Sequence, residues 1–134
     1  MEDFKFFIPE EYRRAESIEV AVKLLDHYIH SKDKLITYSE LCRRLSFEVS
    51  DRYVDFFLGH ISFTCKENGL PPVSAIVVNK RDYIPGPGFF KAYFPNKKIT
   101  KENRDEIIME VYRQIFANPY WDRVLEVYQT QHCS

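Results

Sequence analysis

Leu35-Ile36-Thr37-Tyr38-Ser39-Glu40-Leu41-Cys42-Arg43-Arg44-Leu45 is the stretch on which the reading of this chain turns. Lys34-Leu35-Ile36 is a brief extended piece, and Thr37-Tyr38-Ser39-Glu40 matches a capping box, in which the Thr hydroxyl and the Glu carboxylate each satisfy a backbone donor at a helix start. A short helix through Leu45 follows. Ser50 or Asp51 then caps a longer helix over residues 52–68, with Val54, Phe57, Leu58 and Ile61 on its apolar face. Gly69 followed by Pro71 and Pro72 stops it, because Gly takes the left-handed cap conformation and Pro cannot continue a helix. Residues 73–78 are β-branched and apolar, and residues 89–94 are aromatic. The Gly/Pro-rich connection between them reads as an irregular hairpin, so these two strands are expected to pair as a wing.

Upstream, Ser17 is a good N-cap for a helix ending near His30, with Ile18, Ala21, Val22, Leu25, Tyr28 and Ile29 as its stripe. Phe4 to Ile8 is expected as a short strand, and Pro9-Glu10-Glu11 as the opening of a helical turn. Downstream, Thr100 caps a helix whose stripe is Ile107, Ile108, Val111, Tyr112, Ile115 and Phe116. Asn118-Pro119 opens a last helix carrying Trp121, Val124, Leu125 and Tyr128, with the tail after Gln129 frayed. The order predicts an α+β fold of winged helix-turn-helix type, with a two-stranded Gly/Pro-rich wing and additional C-terminal helices. All 134 residues form one domain, with a winged-helix-like core at about 18–94 and a C-terminal helical segment at about 100–129.

Thr37-Tyr38-Ser39-Glu40-Leu41, Arg52-Tyr53-Val54 and Leu70-Pro71-Pro72-Val73-Ser74-Ala75-Ile76-Val77-Val78 together resemble the DNA-binding half of alkylguanine-DNA alkyltransferases and their alkyltransferase-like relatives. The resemblance covers under half of the chain. It implies that Tyr38 contacts the target-side phosphate and that Arg52 fills the gap left by a flipped base. Where that family carries a reactive Pro-Cys-His-Arg motif this chain reads Pro72-Val73-Ser74-Ala75, so the resemblance does not extend to alkyl transfer. Bulky Tyr53, Val54, Phe56 and Phe57 also replace the small residues that follow the family's Arg, which makes the likeness one of fold and not of activity.

The net charge of −1 hides a basic middle: residues 71–101 carry six basic residues and one acidic residue, while the segments at either end are acidic. Lys80, Arg81, Lys91, Lys97, Lys98 and Lys101 sit in or beside the expected wing, and Arg43, Arg44, Arg52 and Lys66 extend the patch along the preceding helices. The reading that follows is non-catalytic binding of nucleic acid, double-stranded DNA first, through the third helix and the wing. Tyr38, Arg43, Arg44, Arg52, Lys66, Lys80, Arg81 and Lys91 are its expected contacts.

Between the strands, Asn79 to Phe90 holds two prolines that limit backbone freedom and two Pro-flanked glycines that permit close approach of a chain, a phosphate or a base. Tyr83, Ile84 and Phe89 either tip this stiff loop or fold back onto the core. If they are exposed they suit a protein-binding accessory or inhibitor module acting on a nucleic-acid enzyme, of the kind that phages and mobile elements encode. The slightly negative net charge and the acidic flanks also favour that alternative. An outer face of the C-terminal helices is a second surface for it, and a small-molecule sensor with a ligand under the aromatic wing is a third reading.

With 16% aromatic residues the chain carries more apolar surface than a solvated chain would, which excludes disorder. Cys42, Cys65 and Cys133 are odd in number and lack a Cys-x-x-Cys pair, against a disulfide framework or zinc finger and in favour of a reducing, cytoplasmic compartment. His27, His30, His60 and His132 have no recognised metal spacing with these cysteines, and no phosphate loop, dinucleotide fingerprint or nucleophile elbow occurs. No cofactor, metal or enzymatic activity is expected. The acidic N-terminus resembles no signal peptide, and no apolar run approaches the roughly 18 residues of a membrane span.

Overall fold

A computed structural model describes residues 3–8 and 13–132. The chain is mostly helical: α1 (Arg14–His30), β1 (Ile36–Thr37), α2 (Tyr38–Arg43), α3 (Asp51–Glu67), a 3-10 turn (Val73–Ile76), β2 (Val77–Val78), α4 (Pro87–Tyr93), α5 (Lys101–Ala117) and α6 (Trp121–His132). α1 packs against α6 on one side and α3 on the other, and α3 carries α4. Leu24, Leu25, Ile36, Leu41, Val54, Phe57, Ile76 and Ile115 are completely enclosed. Each stabilises the fold by about 1.5–3 kcal/mol through burial. No helix among the described residues is long and apolar enough to cross a membrane.

Local sequence sets most helix ends. Thr37 Oγ1 accepts from the Glu40 N–H at 3.2 Å and starts α2, while Ser50 Oγ accepts from the Tyr53 N–H at 3.2 Å and starts α3. Gly69 (φ 67°) turns the chain out of α3 with the Leu70 N–H donating to Cys65 O, the left-handed exit expected of it. At α5 the box is reciprocal: Asn103 N–H donates to Thr100 Oγ1 and Thr100 N–H to Asn103 Oδ1. At α2 only half of the expected box forms, because the Glu40 carboxylate turns to Arg44 at 2.8 Å. Trp121, Val124, Leu125 and Tyr128 are buried as α6's stripe predicts, and that helix continues past Gln129 to His132.

Three expectations are corrected. α1 starts a turn before Ser17, with Arg13 in the left-handed region (φ 35°) as its N-cap; Ser17 is buried, its hydroxyl 2.8 Å from His60 Nδ1 on α3, a tertiary partner that replaces capping. Phe4–Ile8 is not a strand: the Asn68 side-chain amide pairs with the backbone N–H and C=O of Lys5, and Phe7 N–H donates to Thr64 Oγ1. The expected turn at Pro9-Glu10-Glu11 lies outside the described residues.

The third correction concerns the wing. No antiparallel hairpin forms among the described residues: residues 73–76 wind into the 3-10 turn, and Val77–Val78 pairs in parallel with Ile36–Thr37. Residues 89–94 are mostly helical, not a strand. Pro87 at the first helical position presets the helical φ, and Phe89, Phe90 and Tyr93 fall on the one- and four-residue spacing of a helix face that packs on α3.

Candidate nucleic-acid interface

Parallel pairing decides where the chain's polar residues meet. Thr37 lies opposite Val78, so both strands leave the sheet at the same end. Tyr38 at the start of α2 therefore stands beside Asn79 and Lys80, and the first turns of α3 close the third side. The result is a cleft of about 260 Å³ whose lining includes Tyr38, Asp51, Arg52, Asp55, Lys80 and Gly86. Tyr38, Arg52 and Lys80, picked from three separate stretches of sequence, are brought together here. Arg52, Lys80 and Arg81 are exposed.

Tyr38 is buried, and its phenol is used twice: the oxygen accepts from the Gly86 N–H at 3.1 Å, and the hydroxyl donates to Asp55. Burial, and then the Asp55 charge, push the phenol well above its usual range. Asp55 is raised too, by burial first and by Asp51, against the lowering effect of the Tyr38 hydrogen bond. Asp51 and Asp55 were missed in the sequence, although their i,i+4 spacing at the start of a capped helix puts them on one face. The glycines permit close approach within the molecule itself. A Cβ at Gly86 would lie 2.6 Å from Tyr38 Oη, and one at Gly88 would lie 3.3 Å from the Asp55 carboxylate.

The other expected contacts are scattered. Arg43 lines a shallow hollow on the α2–α3 connection. Arg44 is exposed but engaged, pairing with Glu40 and donating to His27 Nδ1 at 3.0 Å; His27 Nε2–H must then be the donor to Leu35 O. Lys66 sits at the far end of α3, 14 residues from Arg52 and hence about 21 Å along the axis, its ammonium over the Tyr93 ring. Lys91 faces a different cleft, beside α4. Of the loop residues proposed for protein contact, Tyr83 is exposed with φ 58° and its hydroxyl reaches Asp33, and Ile84 is half-buried. Phe89 is corrected to a core residue, 7% exposed among Phe90, Tyr93 and Phe94, because it lies on the inner face of α4.

Among the described residues no three His, Cys, Asp or Glu side chains converge as metal ligands. Burial and Asp51 push the Cys42 thiol up to about 11, and complete burial pushes Cys65 up to about 12, so neither is a ready thiolate. Cys133 and the His132 side chain lie outside the described residues. The part-buried Ser17–His60 contact lines none of the clefts described and joins two helices.

Comparison with protein-family models, with curated proteins and with solved structures gives no match to this chain. What the fold and cleft define is a mostly helical domain that gathers an arginine, a lysine, two carboxylates and a buried tyrosine beyond the ends of a two-stranded parallel sheet.

Proposed function

We propose that this protein binds nucleic acid, duplex DNA first, without acting on it chemically. The observation that carries the reading is the convergence of Arg52 at the start of α3 with Lys80 and its neighbour Arg81 on the loop after β2, all exposed. On this reading α2 and α3 act as a helix-turn-helix pair, and the Gly/Pro loop takes the place of a wing. Arg and Lys at such positions contact phosphates and fix register without reading bases. Tyr38 serves as a positioning residue, anchoring the loop that carries Lys80.

The test is a salt titration of binding to fluorescent single- and double-stranded oligonucleotides, alongside the double variant Lys80→Glu/Arg81→Glu. Micromolar binding that falls steeply with salt and vanishes in the variant is expected, since each phosphate contact contributes about −0.9 to the slope of log K against log salt. Absence of binding at low salt overturns the reading.

A protein-binding module is the second reading, favoured by α5: Met109 (70% exposed) and Phe116 (52% exposed) flank Tyr112 beside a groove of about 800 Å³. Large apolar side chains so exposed on one helix face suit a protein partner. That outer face of the C-terminal helices joins exposed Tyr83 as the place to look, while Phe89 is buried.

A further inference from the structure

A second cleft lies on the other side of the 79–87 loop, between that loop, α4, the connection to α5 and the first turns of α5. Its volume is about 580 Å³. Small-molecule sites span roughly 300–1,000 Å³, so it is of a size to enclose one nucleotide. The floor is apolar, made by Ile84, Pro85, Phe90, Phe94 and Ile99. Three cations from three separate segments line it: Lys91 of α4, Lys97 of the connection and Arg104 of α5, against the single carboxylate of Asp82.

Arg104 distinguishes this cleft from a surface merely decorated with lysines. Its Nε is shut off from solvent and makes no hydrogen bond, and its ion-pair partner, the exposed Asp105 carboxylate, stands off at 3.8 Å, while the side chain as a whole is 36% exposed. A buried donor left unmade costs about 1–3 kcal/mol, more on a charged group, and such an orphan calls for an explanation. An anion bound in the cleft that Arg104 lines would pair its guanidinium more closely than Asp105 does. Flat apolar walls suit a planar ring, the cations suit a phosphate, and Asn79 with Asp82 offers an amide and a carboxylate to sugar hydroxyls or base amines.

We propose that this cleft is a binding site for a nucleoside 5′-phosphate, its base on the Phe90 and Phe94 side and its phosphate held by Arg104, Lys97 and Lys91. The site is independent of the strand-binding reading, since Arg52 and Lys80 do not line it. The same chemistry has two sources, a free mononucleotide or the 5′-phosphorylated end of a strand.

The experiment is calorimetric titration of the full chain with each of the four common nucleoside monophosphates, the matching nucleosides and inorganic phosphate. Arg104→Gln and Lys97→Gln are run in parallel, with thermal unfolding to verify that both variants stay folded. At least one monophosphate is expected to bind saturably and at least about tenfold more tightly than its nucleoside or phosphate alone, with about a tenfold loss in each variant. A short oligonucleotide with and without a 5′-phosphate forms the second arm. An Arg104-dependent preference for the phosphorylated form, with free mononucleotides weaker, assigns the site to strand ends; equal or tighter mononucleotide binding assigns it to free nucleotides. The proposal is overturned if neither ligand type binds saturably, if inorganic phosphate binds as tightly as the nucleotide, or if both folded variants bind like the parent. Strand binding lost in Lys80→Glu/Arg81→Glu while nucleotide titration is unchanged separates this site from the one proposed above.

Discussion

Tyr38 Oη accepts the backbone N–H of Gly86 at 3.1 Å, and a Cβ at Gly86 would fall 2.6 Å from that oxygen. One hydroxyl thus joins the first residue of α2 to the loop that separates the two clefts. The contact is steric as well as polar: φ at Gly86 is −70°, so its lack of a side chain serves proximity and not a left-handed turn.

Gly86→Ala is therefore expected to destabilise the protein by about 1–3 kcal/mol, the usual cost of forcing atoms into a filled space. Gly59, inside α3, is the control, since a Cβ there meets nothing within 4 Å. Gly59→Ala should stabilise by roughly 0.8–1 kcal/mol from helix propensity alone. Denaturant unfolding of both variants measures the two opposite signs.

The Asp55 carboxyl is raised by burial, so the folded state binds its proton more readily than the unfolded chain does. Its share of stability is fully present below the unfolded value near 3.8 and is lost as pH rises through the folded value. Asp55→Asn should accordingly stabilise the protein at neutral pH and lessen the change in unfolding midpoint between pH 4 and 7. An unchanged pH dependence would contradict the assignment.

Arg52 and Lys66 lie at opposite ends of α3. Arg52→Gln should weaken oligonucleotide binding several-fold and lower the salt slope by about one contact, whereas Lys66→Gln should leave both unchanged. Equal effects from the two would place the strand along α3 and not across its start.

Phe89 and Tyr83, six residues apart, differ in burial at 7% and 45% exposed. Phe89→Ala should cost about 3–5 kcal/mol as a core cavity, and Tyr83→Ala at most about 0.5 kcal/mol. Thermal unfolding separates them.

Asn68 holds the N-terminal segment through both groups of its amide, donating to Lys5 O at 2.8 Å and accepting from Lys5 N–H at 3.0 Å. Asn68→Ala should speed hydrogen exchange at Lys5 and leave the helical core protected.

The long helices were legible because their signals are local. Ser50, Thr100 and Gly69 act on groups three to five residues away, and the stripe of Trp121, Val124, Leu125 and Tyr128 needs only the helical period to be read. The aromatic run at 89–94 reads as a strand in sequence and is mostly helical, since a short apolar stretch satisfies a buried helix as well as a strand. Its outcome depended on the face that α3 offers to α4. Tyr38, Arg52 and Lys80 were chosen from sequence as contacts; Asp51 and Asp55 among them shared a helix face but nothing local pointed it at Tyr38, and the Arg104 cleft had no local mark.

The sequence by itself determined the order of the long helices, the caps of α2, α3 and α5, most of the buried stripes and the basic middle, because each depends on neighbours a few residues away or on composition. Tertiary structure alone decided that β2 pairs in parallel with β1, that Ser17 faces His60 instead of capping, and that Lys91, Lys97 and Arg104 share a cleft. Those choices join segments tens of residues apart. They follow from which arrangement buries the core while pairing its polar groups, a condition on the whole chain that no short window of sequence contains.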